Sequence, residues 1–259
     1  GLVLRSMGMQ ISGSDMNASV STDELMAKGI AVSIGHRAEN IEGADCVIRT
    51  AAANNDNPEI AAARAVGIPI FERAQAWGYI MKAYRHAICV SGTHGKTTTT
   101  SMLTHIFMEA GRDPTVMIGG SLPLLGAGHR VGQGDTIILE SCEYCNSFLN
   151  FFPTTAVVLD IDADHLDFFK DLEDVKHSFR RFAELVPADG LIVANGDDKN
   201  TLDALDGLSL VRFGMAETND VYGTNFSEDY RCFDVVCGGK PYCHLELGVI
   251  GRHNAMNAL

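Results

Sequence analysis

The chain has 259 residues, a length that fits two domains more readily than one at roughly 150 residues per domain. Hydrophobic residues make up 46% of the sequence and charged residues 20%, a composition that excludes the disordered and fibrous classes. The 20 basic and 33 acidic residues give a net charge of −13, which argues against non-specific binding to nucleic acid or to an anionic membrane surface.

Three further features bear on where the protein works. No apolar run approaches the roughly 18 residues that cross a bilayer, so we expect no membrane insertion. Residues 1–5 have neither the charged start nor the apolar core of a signal peptide. Seven cysteines are an odd number in a chain long enough to form its own core, which favours reduced thiols over disulfides. We therefore expect a soluble, cytoplasmic protein.

Residues 1–84 alternate between strand-like and helix-like segments, the pattern of a parallel βαβ series. The predicted elements are a strand at 9–12 running into a turn at 13–15, a helix capped by Thr22 or Asp23 and ended by Gly29, strands at 30–34 and 46–48, a helix opened by Pro58 and ended near Gly67, a strand at 68–71 and a helix at 73–84. Residues 2–7 resemble the end of a helix with no strand before it. A Rossmann-like domain begins with a strand and a loop, so we expect both to be missing from this chain.

A second α/β series fills most of the remaining sequence. Its predicted elements are strands at 86–90, 115–118, 136–139, 155–159 and 191–194 and helices at 96–110 and 172–185. Short alternating stretches at 221–249 predict antiparallel hairpins, and a new helix begins near Asn254. The predicted fold class is α/β, with a Rossmann-like parallel-sheet domain at 1–84 and a P-loop ATPase-like domain at 85–259 that contains a small antiparallel β section.

The strongest motif lies between the first strand and the first helix of this second series. It reads Ser91-Gly92-Thr93-His94-Gly95-Lys96-Thr97-Thr98. Small residues let backbone N–H groups close around phosphate oxygens, and the helix N-terminus adds a favourable dipole. In such a loop Lys96 reaches the β- and γ-phosphates and the Thr97 hydroxyl binds Mg²⁺. The first glycine of the general P-loop pattern falls at Val90, and a glycine turn that only caps a buried helix is the alternative interpretation.

Two further candidates follow strands of the same predicted sheet. Glu143 lies just beyond the strand at 136–139, and His165 lies just beyond the strand at 155–159. Parallel strands place both residues at the carboxyl edge beside the phosphate loop, where the two side chains and the Thr97 hydroxyl would hold Mg²⁺. Asp164 and Asp167 are candidates for orienting the histidine ring or a water. The alternatives are solvated loop residues for Glu143 and His165, and acids of a first helical turn for the two aspartates.

The cysteines invite a zinc or redox interpretation at two places in the sequence. Cys142 and Cys145 form one Cys–x₂–Cys spacing, and a second group combines Cys232, Cys237, Cys243 and His244. Strong zinc motifs pair two close knuckles, whereas here one such spacing exists and the later group follows irregular intervals on predicted strands. We therefore favour inert thiols at both places.

The loop sequence Gly-Thr-His-Gly-Lys-Thr-Thr at 92–98 resembles that of the Mur ligases. These are the ATP-dependent amide-forming enzymes that build the peptide stem of peptidoglycan. The histidine of this loop is similar to that of members acting on UDP-N-acetylmuramate, where many relatives have asparagine. Three more stretches agree in order and spacing: Glu-Ser-Cys-Glu at 140–143, Asp-His-Leu-Asp at 164–167, and Gly-Arg-His-Asn-Ala-Met-Asn at 251–257. In the first domain, the stretches 12–15, 35–36, 57–59 and 73–75 resemble the uridine-nucleotide domain of the family. The resemblance covers essentially the whole chain.

This resemblance implies an ATP- and Mg²⁺-dependent reaction in which the carboxylate of UDP-N-acetylmuramate becomes an acyl phosphate and L-alanine displaces phosphate. Lys96 and His94 are then the expected catalytic residues, and Thr97, Glu143 and His165 the expected metal ligands. The expected remaining contacts are the loop residues Gly92, Thr93, Gly95 and Thr98 for ATP, His253, Asn254 and Asn257 for adenine, and Ser14, Asp15, His36 and Thr50 for the UDP substrate. A polar helix cap is the alternative reading of the segment at 253–257.

The chain departs from the family pattern in several places. Relatives usually carry acids where this chain has Cys142 and Cys145, and Arg180 stands in the register where some relatives carry a carbamylated lysine, so we expect no such modification. In the family a glycine-rich diphosphate loop precedes this region and an amino-acid-binding domain follows it. We therefore expect that these 259 residues alone do not complete the reaction.

Three other functions remain open at this point. A recycling ligase of the same family would join a preformed tripeptide to UDP-N-acetylmuramate, and the sequence separates it poorly from the alanine-adding activity. A non-catalytic nucleotide-binding regulator is disfavoured because Lys96, Thr97, Glu143 and His165 are all intact. A P-loop ATPase or GTPase switch is disfavoured by the missing first glycine and by the lack of an Asn-Lys-x-Asp motif. The sequence carries no indication of oligomeric state.

Overall fold

A computed structural model of the chain describes residues 1–50 and 52–259. The chain divides into two compact units, Gly1–Ile80 and Met81–Leu259. The first unit contains two separate pairs of parallel strands, β1 with β2 and β3 with β4. Its elements are α1 (Leu2–Ser6), β1 (Ser12–Asp15), α2 (Val20–Ala27), β2 (Ala31–Ile34), a 3₁₀ helix (Ala38–Ile41), β3 (Val47–Arg49), α3 (Pro58–Val66), β4 (Ile70–Glu72) and α4 (Arg73–Met81).

Two predictions at the start of this unit were wrong in detail. The first strand was expected at 9–12 with a turn at 13–15, but β1 occupies Ser12–Asp15, and the turn follows it because the Asp15 carboxylate accepts the Asn17 N–H at 3.1 Å. The helix cap is Ser19, not Thr22 or Asp23: the Ser19 side chain accepts from Thr22 N, and Thr22 Oγ1 accepts from Ser19 N. This reciprocal pair satisfies two free helix-end N–H groups at once.

The helix α3 follows its sequence signals at both ends. Asn57 caps it by accepting the N–H groups of Glu59 and Ile60, and Pro58 occupies its first turn, where no N–H is needed. Gly67 ends the helix with a φ of +77°, a left-handed conformation that glycine adopts without a steric penalty. The predicted bounds of this helix are therefore confirmed.

The second unit is built on one ten-stranded sheet with the order β14-β13-β12-β11-β10-β9-β5-β8-β6-β7. Its strands are β5 (His86–Ser91), β6 (Thr115–Leu122), β7 (Ala127–Arg130), β8 (Thr136–Glu140), β9 (Thr155–Val158), β10 (Leu191–Asn195), β11 (Val211–Gly214), β12 (Val221–Thr224), β13 (Cys232–Cys237) and β14 (Lys240–Glu246). Its helices are α5 (Lys96–Glu109), α6 (Leu172–Ala183), α7 (Lys199–Ala204), α8 (Arg252–Ala258) and a 3₁₀ segment (Tyr144–Asn150). Of the described helices, none is long and apolar enough to cross a membrane.

Parallel pairing runs through the middle of this sheet, and antiparallel pairs lie at both edges. The predicted hairpins are confirmed as the β12–β13 and β13–β14 pairs, but they extend the main sheet because β12 also pairs in parallel with β11. The strands β7 and β11 and the helix α7 were not predicted. The sequence of β7, Ala-Gly-His-Arg, has no apolar alternation, so its strand character comes from pairing with β6.

The core of the second unit forms around β5 and β8, which pair in parallel with each other. Ile137, Ile138 and Leu139 on β8 are fully buried, as expected of a strand covered on both faces. Cys89 on β5 is also fully buried, and this burial raises the pKa of its thiol to about 12. All seven cysteines are free thiols.

We expect Cys89 to resist alkylation while the protein is folded. The thiolate is the reactive form, and burial disfavours it. Iodoacetamide at about pH 8 should modify the exposed Cys46 and Cys237 rapidly and leave Cys89 unmodified until denaturant is added, as measured by peptide mass spectrometry. Modification of Cys89 at the rate of Cys237 in native buffer would contradict its burial.

Candidate functional site

The phosphate loop lies between β5 and α5, in the strand–loop–helix context that the sequence predicted. Gly92 and Gly95 have φ values of +143° and +81°, which favour glycine. The loop is bonded to the segment after β9, since Leu159 N donates to Ser91 O and Thr93 N donates to Asp160 O, both at 3.0 Å. The loop is therefore held at the carboxyl edge of the parallel strands, where ligands bind in open α/β folds.

Lys96 is the first residue of α5, and its side chain lies over the loop. Its Nζ donates to Gly92 O at 2.5 Å and to Thr93 O at 3.1 Å. It also contacts both carboxylate oxygens of Glu143, at 3.2 and 3.4 Å. The Lys96 side chain is 13% exposed and that of Glu143 only 2%, so the pair is screened little by solvent. The structure thus joins two of the predicted site residues by a nearly buried ion pair.

Glu143 also faces a histidine and a second carboxylate. His165 Nε2 lies 3.8 Å from Glu143 Oε1 and 3.9 Å from Asp164 Oδ2. One ligand atom from each of Glu143, Asp164 and His165 can be chosen so that all lie within 4.8 Å of one another. Two carboxylates and one imidazole form a donor set that fits a divalent cation, with water supplying further ligands. Asp164 therefore joins the group directly, although the sequence pointed to an orienting role.

The backbone around His165 is unusual. His165 has a φ of +52°, and its ring lies 4.7 Å from the ring of Tyr144. The Tyr144 hydroxyl donates to Asp167 Oδ2 at 2.8 Å, and this carboxylate raises the pKa of Tyr144 to about 12. Asp167 thus acts on the site through Tyr144, which packs against the His165 ring.

Thr97 is turned toward a different carboxylate. Its Oγ1 donates to Glu140 Oε1 at 3.0 Å, and Gly119 N donates to Glu140 Oε2 at 2.7 Å. Glu140 ends β8, the strand that also leads to Glu143. Sequence reasoning did not single out Glu140 as a site residue. The available signal was its place at the carboxyl edge, directly after an apolar strand.

Among the described residues, the His94 ring contacts Asp160 and makes no hydrogen bond or ion pair with Lys96 or Glu143. Its backbone N donates to Asp160 Oδ1, and its Nδ1 lies against Asp160 Oδ2, both at 2.7 Å. His94 lines a cleft of about 690 Å³ that the loop shares with α8. The other lining residues are Gly95, Thr98, Leu159, Asp160, Asn195, Phe213, Arg252, His253, Met256 and Asn257.

The cleft brings together two of the three residues expected at adenine. His253 and Asn257 line it. A Cβ on Gly95 would collide with Asn257 Oδ1 and displace that side chain, and the φ of +81° independently favours glycine. Asn254 is not among the lining residues; its Nδ2 donates to Ile250 O at 2.8 Å, at the start of α8. Asn254 does not cap α8, because the residue at the cap is Gly251 and no side chain accepts from the free N–H groups there. A role for Asn254 at adenine stays a prediction.

In the first unit, a polar network joins Ser14 and His36. The Ser14 hydroxyl donates to Glu59 Oε2 at 2.6 Å and lies 3.2 Å from His36 Nδ1. Asn40 Nδ2 donates to Glu59 Oε1 at 2.6 Å, and His36 Nδ1 lies 3.4 Å from the same oxygen. Glu59, the last residue of the stretch at 57–59 that resembles the family, is the centre of this network, and Asn40 was not predicted.

The other two residues expected at the UDP substrate lie outside this network. The Asp15 carboxylate accepts from Asn17 N. The Thr50 hydroxyl accepts from Ala52 N at 3.4 Å, and Thr50 is exposed.

We expect Glu59 to make the stability of the first unit sensitive to acid. Burial raises the pKa of Glu59, but hydrogen bonds from Asn40, Ser14 and His36 outweigh it and hold the pKa below the ordinary value of 4.5. The resulting stabilisation is complete above the ordinary pKa and is lost as the pH falls through the lowered one. Glu59→Gln should cost about 1–2 kcal/mol near neutral pH and show a shallower loss of unfolding free energy toward about pH 4.

Urea denaturation at both pH values measures this effect. Glu42→Gln, which changes an exposed carboxylate of the same unit, is the matched control and should follow the unmodified protein. Equal acid sensitivity in Glu59→Gln and in the unmodified protein would contradict the role of the network.

Among the described residues, both cysteine groups lie outside the cluster of side chains that could hold a metal ion. Cys142 and Cys145 are exposed on either side of Glu143, and neither belongs to a cluster of three metal-ligating side chains among the described residues. The same holds for the group at 232–244. Arg180, at the register of the carbamylated lysine of some relatives, donates to Glu184 Oε1 at 2.7 Å along α6.

Comparison with known proteins gives relatives over the whole chain. A UDP-N-acetylmuramate–L-alanine ligase of Clostridium botulinum (strain Hall) is 45% identical over 96% of this chain and 55% of its own length. One from Caldanaerobacter subterraneus is 43% identical over 99% of this chain and 57% of its own. The chain thus spans about half the length of the curated relatives it matches.

A solved UDP-N-acetylmuramate-alanine ligase from Thermotoga maritima superposes with a TM-score of 0.81 at 30% identity, covering 99% of this chain and 59% of that one. A UDP-N-acetylmuramate:L-alanyl-γ-D-glutamyl-meso-diaminopimelate ligase from Neisseria meningitides gives 0.84 at 26% identity, covering 99% and 85%. The Mur ligase middle domain matches residues 90–259, and the domain described as Mur ligase family, catalytic domain matches residues 1–85. The chain belongs to the Mur ligase family.

Proposed function

We propose that the protein containing this chain is an ATP-dependent ligase that joins L-alanine to UDP-N-acetylmuramate in peptidoglycan synthesis. The carrying observation is the Lys96–Glu143 ion pair on the phosphate loop, with Asp164 and His165 beside it. A phosphate loop beside side chains that could hold a divalent cation is the arrangement on which enzymes of phosphoryl transfer depend. The identity of 45% to a named alanine-adding ligase supports this choice of substrates.

In the first step, a carboxylate oxygen of UDP-N-acetylmuramate attacks the γ-phosphorus of ATP, the bond to ADP breaks, and an acyl phosphate forms. The chain's part is to place the phosphates and offset their charge. Backbone N–H groups of the loop would position the phosphates, and the Lys96 ammonium would offset their charge. Lys96 is held at the loop by its bonds to Gly92 O and Glu143 Oε2. Binding of a triphosphate would draw Lys96 Nζ from the carbonyls of Gly92 and Thr93 to phosphate oxygens.

The metal belongs to the same step. Glu143, Asp164 and His165 would hold Mg²⁺, and the Thr97 hydroxyl would join them after leaving Glu140. When bound, Mg²⁺ supplies charge neutralisation between the phosphates. Glu143 would then help to hold the cation as well as pair with Lys96, and the ion pair already offsets the burial of this carboxylate.

In the second step, the amine of L-alanine attacks the acyl carbon. The tetrahedral intermediate collapses with release of phosphate, the amine loses a proton to solvent, and the amide forms. No side chain of this chain is required as a covalent nucleophile. We place the UDP end of the substrate at the Ser14–His36–Glu59 network of the first unit, and the protein in the cytoplasm, where seven free thiols stay reduced.

The test uses the complete gene product that contains this chain, with UDP-N-acetylmuramate, ATP and Mg²⁺, read by mass spectrometry. L-alanine and the L-Ala-γ-D-Glu-diaminopimelate tripeptide are offered in separate reactions. A product that gains one alanine, lost in Lys96→Met and kept in Lys170→Met, is the expected result. Lys170 is the matched control because its side chain is 87% exposed and its ion pair is with Asp171, which is not a loop residue.

A second candidate function is the ligation of a preformed peptide. The observation that favours it is the superposition, at a TM-score of 0.84, on the Neisseria tripeptide ligase over 85% of that chain. Product only with the tripeptide would establish this second candidate. Bound nucleotide without product in either reaction would instead indicate a non-catalytic nucleotide-binding protein.

A further inference from the structure

We infer that Asp160 is a positioning residue that sets the orientation and tautomer of His94, so that Nε2 is left for the cleft and, as the N–H of the imidazolium form, donates to phosphate oxygens of a nucleoside triphosphate. This inference rests on the proposed ATP-dependent function. It assigns a role to a residue that none of the sequence motifs singled out.

One carboxylate binds both donors of a single loop residue. Asp160 Oδ1 accepts the backbone N–H of His94, and Asp160 Oδ2 faces its Nδ1, each at 2.7 Å. The Asp160 side chain is 27% exposed and that of His94 is 69% exposed. The acceptor is therefore the sheltered member of the pair, and the ring is the member that extends toward solvent.

The main chain around Asp160 cannot easily move away from the loop. Asp160 O accepts from Thr93 N at 3.0 Å, and Asp162 N donates to Thr93 Oγ1 at 2.9 Å. These bonds continue the β5–β9 pairing beyond the strands. The carboxylate is thus anchored from both sides of its own residue, which makes it a rigid support for a ring on a glycine-flanked loop.

The position of the carboxylate decides which nitrogen carries the proton. A neutral imidazole has one N–H, and an acceptor at Nδ1 keeps that proton on Nδ1. Nε2 has no hydrogen-bond partner among the described residues, and His94 lines the cleft shared with His253 and Asn257. In the imidazolium form the Nδ1–H stays bonded to Asp160, so Nε2–H is the ring donor that remains for a ligand in the cleft. Triphosphate oxygens are the acceptors that such a cation binds.

The bond from the His94 backbone N–H to Asp160 also changes which donors the loop offers to a phosphate. In a phosphate loop the backbone N–H groups usually point at the anion. Here one of them is bonded to Asp160, so this loop offers an imidazole in place of an amide at that position. The chemical class recognised is unchanged, but the donor at position 94 is a side chain that Asp160 controls.

The first test reads the tautomer directly. ¹⁵N NMR of the histidine rings is recorded on the complete gene product at about pH 8.5, above the ordinary imidazole range, with His94→Gln to assign the signal. We expect the Nδ1–H form in the unmodified protein. Asp160→Asn keeps an oxygen for the His94 backbone N–H but places an amide donor at Nδ1, so the Nε2–H form should replace it. An unchanged tautomer in Asp160→Asn would overturn the inference.

The second test asks whether Asp160 acts through His94. Calorimetric binding of a non-hydrolysable Mg·ATP analogue is measured for His94→Ala, Asp160→Asn and the double variant. Each single change should weaken binding about tenfold, and the double variant should bind no more weakly than His94→Ala alone. If the two losses of affinity multiply in the double variant, Asp160 acts independently of His94 and the inference is overturned.

A matched control and a separate readout complete the design. Asp162→Asn alters a neighbouring carboxylate that accepts from Ala163 N and, in the described part of the chain, makes no hydrogen bond with His94, and this variant should bind the analogue as the unmodified protein does. Loss of binding in Asp162→Asn equal to that in Asp160→Asn would show a general charge effect and would count against the inference. Because neither test requires amide formation, failure of the proposed ligation and failure of this inference give different results.

Discussion

Lys96→Met is expected to lower the ligation rate by at least about 10³-fold and to destabilise the fold at the same time. The rate falls because the ammonium that offsets phosphate charge is lost. Stability falls because Glu143, with a side chain 2% exposed, is left without its cationic partner at 3.2 Å. Removing one member of a buried ion pair costs about 3–5 kcal/mol, less whatever the carboxylate recovers by taking up a proton.

A pair of further variants separates these two effects. Glu143→Gln removes the charge that Lys96 neutralises, and in the double variant Lys96→Met/Glu143→Gln no buried charge is left over. Urea denaturation should therefore show the double variant to be more stable than Lys96→Met alone, while mass spectrometry shows no product from either. A double variant as unstable as Lys96→Met would mean that the ion pair does not account for the loss.

Gly92→Ala is expected to abolish nucleotide binding by displacing the loop. A Cβ on Gly92 would lie 2.9 Å from Leu159 Cβ and 3.2 Å from the backbone N of Asp160. Neither atom is the end of a flexible side chain, so the loop itself must shift. Overpacking costs about 1–3 kcal/mol, and the φ of +143° adds a strain that only glycine avoids.

The matched control is Gly126→Ala. Gly126 also has a positive φ, +61°, but an added Cβ there would meet no atom within 4 Å. It should lose about 1–2 kcal/mol of stability and bind the Mg·ATP analogue normally in calorimetry. Normal binding in Gly92→Ala would refute the close packing of the loop against residues 159–160.

Much of the fold was predictable because its signals are local. The helix α3 carries its cap, its proline and its terminal glycine within its own sequence. The apolar runs of β5 and β8 predict buried parallel strands from their own residues alone. In contrast, β7 has a sequence typical of a loop, and it is a strand because β6 presents a partner for it.

The candidate site was predictable in part, for the same reason. The phosphate loop is a contiguous motif, so its location between strand and helix followed from the sequence. Glu143 and His165 followed from the rule that parallel strands share a carboxyl edge. The roles of Glu140, Asp160 and Glu59 did not follow, because an acid beyond a strand or in a first helical turn is most often solvated.

By itself, the sequence determined the α/β class, the place of the phosphate loop and the resemblance to a family. Only the tertiary structure decided which carboxylate each loop residue meets. Glu140 lies 43 residues from Thr97, Glu143 lies 47 residues from Lys96, and Asp160 lies 66 residues from His94. Such partners are chosen by strand order in the sheet, and strand order depends on the packing of whole elements, which no local pattern of residues encodes.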